Sequence, residues 1–216
     1  MSLNKSYVVF GLGRYGFSVA KELANNGADV LAIDSNPELV NAVSVDIPFC
    51  KCADATDIEV FKQLGIKNFD VAIVAMASNL EASVMAVMLC KEVGVKTVIA
   101  KCSNEIHQKV LSKVGADKVV FPEYESGVRL AKNILSSGFI DMVELAKNVS
   151  LIEFDVKKDW VGKTLIDLNL RKKYSLNIVA IKTNGIVEVN IDPSMPLTED
   201  MKLIVICDTT KLSKLK

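Results

Sequence analysis

The sequence predicts an α/β chain: a Rossmann-type, doubly wound parallel sheet with a crossover helix, followed by a small α+β module at the C-terminal end. Three observations carry this expectation. Strand and helix patterns alternate over the first 140 residues. A G-x-G-x-x-G turn lies between the first strand and the first helix. From about residue 149 the rhythm changes to short alternating strands, a hairpin signal and one helix.

The apolar run Tyr7–Phe10 reads as a buried strand, and Gly11, Gly13 and Gly16 fill the glycine spacing. A helix opens at about Arg14 and runs to Asn26. The next strand, Val30–Ile33, delivers Asp34, 18 residues past Gly16. A G-x-G-x-x-G on its own is weak evidence; the strand before it, the helix after it and the acid at the next strand's end make it specific. Gly11 permits the tight turn, Gly13 lets the backbone approach a phosphate, and Gly16 lets helix and strand pack closely. The helix N-terminus offers N–H groups and a partial positive charge, and Asp34 can accept hydrogen bonds from ribose hydroxyls. The alternation continues with helices at about 37–45, 58–64, 80–93 and 105–114. Strands are expected at 49–52, 71–75, 97–100 and 118–121. Val71–Ala75 is the continuous apolar run of a strand covered on both faces. Six such strands give the order 3-2-1-4-5-6.

The pattern from Glu125 to Lys147 reads as helical. Val128, Leu130, Ala131, Ile134 and Leu135 form one apolar face, continued after Gly138 by Phe139, Ile140, Met142, Val143 and Leu145. That is more apolar surface than one sheet needs, and it suggests a helix that crosses to a second copy of the chain. The domains are expected at 1–140 and 141–216, the second unit proper starting near Val149. In it, Leu151–Val156 is a strand, Lys163–Tyr174 a helix with Thr164 as its cap, and Ile178–Lys182 a strand. Asn184-Gly185 is a hairpin turn, Ile186–Ile191 the returning strand, and Leu203–Cys207 the last strand. A unit this small gains by pairing with a copy of itself.

Composition excludes several roles. Lysine plus arginine equals aspartate plus glutamate at 26 each, so no basic face recruits nucleic acid. The most apolar window, Val71–Cys90, is broken by Ser78, Asn79, Glu81 and Ser83 and reads as strand, loop and helix, not as a membrane span. An N-terminus that runs straight into the first strand is not expected to carry a signal peptide. Five cysteines without framework spacing suit a reducing, cytoplasmic setting, and Cys50, Cys52 and Cys102 read as core residues at strand ends rather than as metal ligands. A nicotinamide dehydrogenase needs a proton donor or acceptor beside the hydride. The single histidine, His107, falls within a predicted helix and reads as a surface residue, and there is no Tyr-x-x-x-Lys pair. The chain is therefore not expected to be an enzyme.

Ligands of such sheets bind at the carboxyl edge, near the switch point between strands one and four. The polar groups there are Asp34 and Asn36, Asp54 with Ala55, Ser78 and Asn79, and Lys101 and Asn104. Asp54 suits the adenine side and Ser78-Asn79 the phosphate crevice. Arg14, followed by Tyr15, lies inside the glycine turn. The helix dipole and N–H groups largely handle a dinucleotide's pyrophosphate. A guanidinium suits the free phosphate end of ADP or ATP. The residues thus favour ATP or ADP over NAD or NADH, which stays the alternative. Ser35 follows Asp34 with no arginine nearby, so a 2′-phosphate is not expected. Glu123 and Glu125, two apart at the start of the crossing helix, can gather Mg²⁺ or Ca²⁺ near a symmetry axis.

Gly11-Leu-Gly-Arg-Tyr-Gly16, Asp34, Cys52-Ala-Asp-Ala-Thr56, Val114-Gly-Ala-Asp117 and Phe121-Pro-Glu123 occur in order, followed by the crossing helix and small module. In this the chain resembles the cytosolic RCK-type (TrkA-N/TrkA-C) regulatory subunits of Trk/Ktr potassium transporters, close to the KtrA group. The resemblance covers essentially the whole chain. It implies a homo-oligomer, dimers assembling into an octameric ring beneath a membrane potassium-translocating partner, peripheral at the inner face of the plasma membrane. It implies a nucleotide site at Gly11, Gly13, Arg14, Gly16, Asp34, Asn36, Asp54, Lys101 and Asn104, with Arg14 reaching a γ-phosphate, and an activating divalent cation at Glu123. In KtrA-like relatives the C-terminal module binds cyclic di-AMP; the matching residues are Leu165, Arg171, Asn177, Ile178 and Pro193. Tyr15 stands where family members often carry Phe.

Overall fold

A computed structural model describes residues 5–135, 141–208 and 210. The chain divides into two compact units between Glu123 and Tyr124.

In the first unit, strands β1 (Ser6–Phe10), β2 (Asp29–Asp34), β3 (Cys50–Cys52), β4 (Val71–Val74), β5 (Thr97–Lys101) and β6 (Lys118–Val120) form one parallel sheet, ordered β3-β2-β1-β4-β5-β6. Helices α1 (Arg14–Asn25), α2 (Pro37–Val43), α3 (Ile58–Gln63), α4 (Leu80–Glu92) and α5 (Glu105–Lys113) connect them. This is the doubly wound topology expected from the alternation. The central strands read as unbroken apolar runs because helices cover both faces: Val8, Val9 and Phe10, and all four residues of β4, are buried. Phe10 stacks on Phe61 of α3, centroids 5.1 Å apart, over one face. Val9, Leu12, Ala20, Val40 and Ile47 fill the other.

The register decides what the carboxyl edge presents. Phe10 pairs with Ile33 on one side and with Val74 on the other. The residues that follow, Gly11, Asp34 and Ala75, therefore emerge together. Across β5 and β6, Lys101 pairs with Val120, which brings Lys101 level with the start of α6 (Pro122–Leu135).

The second unit holds a five-stranded antiparallel sheet ordered β10-β9-β11-β8-β7. Its strands are β7 (Asp141–Ala146), β8 (Val149–Asp155), β9 (Leu176–Thr183), β10 (Ile186–Glu188) and β11 (Met201–Asp208). Ile152 and Phe154 of β8 and Leu203, Val205 and Cys207 of β11 alternate inward onto Trp160, Leu168 and Leu170.

Three expectations are corrected here. The helical reading of 125–147 holds only through Leu135. Asp141–Ala146 is instead a strand, β7, paired with β8 around a turn in which Asn148 takes φ +66°. Asparagine tolerates that left-handed backbone, and the turn makes pairing with β8 local. Gly138, Phe139 and Ile140 of the same reading lie outside the described residues. The helix expected over 163–174 is two short ones, α7 (Leu165–Leu168) and α8 (Leu170–Tyr174), broken where Asn169 turns left-handed at φ +46°. The returning strand expected to reach Ile191 ends at Glu188. The Asn184-Gly185 turn is as expected: both residues have positive φ, 51° and 85°, as a two-residue hairpin requires.

Candidate functional site

The site begins where β1 ends. Gly11 lies at φ +89°, and a Cβ on it would meet Met76 Cγ at 2.7 Å. A Cβ on Gly16 would stand 1.8 Å from the Gly11 carbonyl oxygen, so α1 can lie on the turn only with glycine there. At Gly13 a Cβ would meet nothing within 4 Å. Gly13 is also the N-cap of α1 and makes no side-chain cap bond. The helix N-terminus is therefore presented to open space, the arrangement that suits a phosphate.

Asp34, the last residue of β2, lies beside this turn. Its Oδ2 accepts the Leu12 N–H at 2.6 Å and its Oδ1 the Asn36 N–H at 2.8 Å. The carboxylate thus braces the glycine loop while each oxygen keeps capacity for a second donor. Asp54 accepts both the N–H and the hydroxyl of Thr56 at 2.8 Å. The Thr56 backbone bond first, then its hydroxyl, hold the Asp54 carboxyl below the usual carboxylate range, so it stays an anion. Asn79 caps α4 by accepting from the Ala82 N–H at 3.0 Å.

A cleft of ≈ 700 Å³ joins these groups. Of the expected residues, Gly11, Gly13, Asp34, Asp54, Ala55, Ser78 and Asn79 line it. Thr56 and Met76 also line it, as do Leu39 of α2, Met85 and Glu81 of α4; the sequence reading did not assign the last three to the site. Leu39 and Met85 are 36% and 37% exposed, apolar side chains facing a cleft instead of the core. Their helical periodicity is that of ordinary core residues, which is why it carried no signal. Among the lining residues the charged ones are Asp34, Asp54 and Glu81, all acidic.

The basic groups Arg14, in the first turn of α1, and Lys101, the last residue of β5, do not line this cleft. Lys101 Nζ donates to Glu123 Oε1 at 2.6 Å and sits 5.4 Å from the centre of the Tyr15 ring. The Lys101 side chain is only 15% exposed, Glu123 63%. The Lys101 bond, and to a lesser degree the charge of Arg14, hold the Glu123 carboxyl below its usual range. Asn36 and Asn104 do not line the cleft; they accept from the Glu38 and His107 N–H groups and cap α2 and α5.

His107 is a correction. Expected on the surface, it is 2% exposed, with Nε2 2.8 Å from Ser83 Oγ. The Ser83 hydroxyl donates to the Leu80 carbonyl, so Nε2 carries the proton toward Ser83. Nδ1 accepts from the Ser103 N–H at 3.4 Å. Burial lowers the imidazole's pKa. It is a neutral strut between α4 and the loop after β5, which a periodicity centred on apolar residues does not register.

Within one chain Glu123 is a poor cation ligand, since its carboxylate is already paired with Lys101. Among the described residues no three His, Cys, Asp or Glu side chains converge.

The second unit carries a cleft of ≈ 520 Å³. Leu165, Arg171, Asn177, Ile178 and Pro193 all line it, joined by Ile166, Asn169, Leu170 and Leu176. The Thr164 capping box fixes the start of α7, and the Ile166 N–H reaches the Pro193 carbonyl at 3.3 Å. Thus α7, α8, the start of β9 and a loop converge on one guanidinium among aliphatic side chains, a lining suited to a phosphate and a planar base.

A Rossmann-type sheet with an acidic nucleoside-sized cleft beside a bare helix N-terminus, joined to a small antiparallel unit, defines a class: two-part chains of the RCK type. Residues 7–122 match the TrkA-N domain and residues 149–216 the TrkA-C domain. The chain belongs to this TrkA-N/TrkA-C family, among the regulatory proteins of Ktr/Trk potassium uptake. It is 40% identical over 212 residues to the Ktr system potassium uptake protein C of Bacillus subtilis (strain 168), covering 98% of this chain and 96% of that one. It is 36% identical to the Ktr system potassium uptake protein A of the same organism, covering 94% and 91%. Among solved structures the GsuK channel shares the fold, with a TM-score of 0.71 at 17% identity over 98% of this chain; the match spans 39% of the channel's own chain. A GsuK channel bound to NAD matches at a TM-score of 0.53 and 20% identity, over 97% and 37% of the two chains. No helix among the described residues is long and apolar enough to cross a membrane.

Proposed function

We propose that this chain is the cytoplasmic nucleotide-binding gating subunit of a potassium transporter, peripheral at the inner face of the plasma membrane through its partner. It acts by binding, not by catalysis: ATP or ADP occupies the first unit and shifts the shape of a ring of copies that bears on a membrane potassium-translocating subunit. The observation that carries this reading is the division of charge at the carboxyl edge. Asp34, Asp54 and Glu81 line the cleft with acceptors. These suit the hydroxyl and amino donors of adenosine. The bare N-terminus of α1, with Arg14 in its first turn, suits the phosphates. Leu39 and Met85 supply apolar surface for a base. A ligand shifts the ring only if it contacts two shapes differently, and Arg14, placed for a terminal phosphate, is the group that distinguishes ATP from ADP.

NAD or NADH is the second reading, because a channel sharing the fold is one bound to NAD. In this chain the guanidinium of Arg14 within the turn favours the mononucleotide. The pairing of copies, dimers assembling into an octameric ring, rests on the exposed Val128, Leu130 and Ile134 of α6. A Mg²⁺ or Ca²⁺ at Glu123 would need carboxylates from two copies. In the second unit, Arg171 among aliphatic residues gives cyclic di-AMP a place to bind.

The test is a melting series with ATP, ADP, NAD, NADH and cyclic di-AMP. A ligand at about 100 times its Kd adds roughly 2.7 kcal/mol, a rise of about 5–10 °C for a domain of this size. ATP and ADP are expected to give such shifts, and Arg14→Ala to weaken ATP far more than ADP. A shift with NADH alone would replace the ligand. Equal losses for ATP and ADP in Arg14→Ala would remove Arg14 from its role.

A further inference from the structure

The Lys101–Glu123 pair joins the edge of the candidate site to the helix that leaves it. Lys101 is the last residue of β5; Glu123 is in the first turn of α6. Their 2.6 Å bond is short and charge-assisted. The two partners are unequal. The lysine side chain is 15% exposed and covered by the Tyr15 ring, whereas Glu123 is 63% exposed. A mostly buried ammonium needs an anion beside it; an exposed carboxylate does not need its cation, since water solvates it. Tyr15 belongs to the first turn of α1, so the ammonium lies against a ring carried by the turn whose N–H groups would meet a phosphate. Arg14, the second cation that bears on Glu123, is in that same turn.

We propose that Lys101 is a shared counter-ion that reads ligand charge. Without a phosphate it holds Glu123 and tethers the first turn of α6 to the carboxyl edge of the sheet. With a phosphate at the α1 N-terminus it turns to the more highly charged anion and releases Glu123. The proposal rests on the nucleotide reading above and adds how occupancy reaches α6. A released Glu123 keeps its favourable place at a helix N-terminus, so α6 stays helical and loses this tether.

Hydrogen exchange of the full chain tests this at Ser126, Gly127 and Val128. Their amides lie in the first turn of α6 whose N–H groups donate within the helix. ATP is expected to raise their exchange about two- to fivefold, the loss of one partly exposed ion pair. Adenosine, which fills the cleft without phosphate, is expected to leave it unchanged. Lys101→Met and Glu123→Gln are each expected to show the raised rate without ligand and no further response to ATP; Glu123→Gln keeps the size of an exposed side chain and leaves the lysine in place, and so guards against misfolding of the lysine variant. Heat of ATP binding with unchanged exchange at these amides would overturn the proposal while leaving the nucleotide reading in place. So would equal effects of ATP and adenosine, or a Glu123→Gln that exchanges like the unaltered chain. No heat with ATP would overturn both.

Discussion

Asp34 serves two roles with one carboxylate. It lines the cleft, and its Oδ2 takes the Leu12 N–H at 2.6 Å. Asp34→Ala should therefore weaken ATP and ADP alike and also lower stability by about 1–3 kcal/mol, because a buried donor loses its acceptor. Isothermal titration and urea melts separate the two losses. An unchanged affinity would remove Asp34 from the site. Gly16→Ala should cost at least about 3 kcal/mol, since a Cβ would be driven into the Gly11 carbonyl and the helix must move off the turn. Asp117 shows the same economy away from the site. Its Oδ2 accepts the Val98 N–H at 2.6 Å and meets Lys91 Nζ at 2.9 Å. The Val98 bond first, then Lys91, lowers its pKa from 3.8. A carboxylate whose folded pKa lies below its unfolded one stabilises the fold above the unfolded value and loses that contribution as pH falls through the folded one. Asp117→Asn should cost about 1 kcal/mol at neutral pH, and the gap between the two proteins should close as the pH drops below 3.8 in acid melts.

At the level of elements, local chemistry and tertiary pairing compete. The Thr164 capping box is local: its hydroxyl accepts the Asp167 N–H at 3.1 Å, and Asp167 returns to the Thr164 N–H and hydroxyl. Thr164→Ala should cost about 1 kcal/mol. Because α7 forms a wall of the second cleft, the same variant should weaken any ligand seated there; a melt and a cyclic di-AMP titration check both. The stretch 125–147 shows the opposite case. Its apolar residues fit a helical stripe, and single-chain periodicity cannot tell that Asp141–Ala146 will find β8 as a partner. That choice depends on a ladder between two strands and a left-handed Asn148, neither of which is a period. Asn169 breaks the next expected helix for a similar reason: packing of Leu168 and Leu170 into one core needs the chain to bend between them.

For the whole molecule, a core in each unit and an exposed α6 set the expectations. Val128, Leu130 and Ile134 are 37%, 60% and 72% exposed, which is costly for an isolated 23.5 kDa chain. Light scattering should give a multiple of that mass, and Leu130→Asp with Ile134→Asp should lower it. An unaltered chain that runs as a monomer would remove α6 as the pairing face.

The sequence by itself determined the first unit: its strand order, its glycine turn and the acids at the ends of β2 and β3. Those features depend on short-range spacing and on long apolar runs that only a doubly covered sheet can bury. It also placed Leu165, Arg171, Asn177, Ile178 and Pro193 together, through the family resemblance and not through any spacing of their own. Tertiary structure alone decided the rest. It turned Leu39 and Met85 toward a cleft, buried His107 between two helices, made a strand of residues 141–146, and paired Lys101 with Glu123. Each of these depends on which surfaces meet across the fold, and a linear pattern holds no record of contacts between segments far apart in the chain.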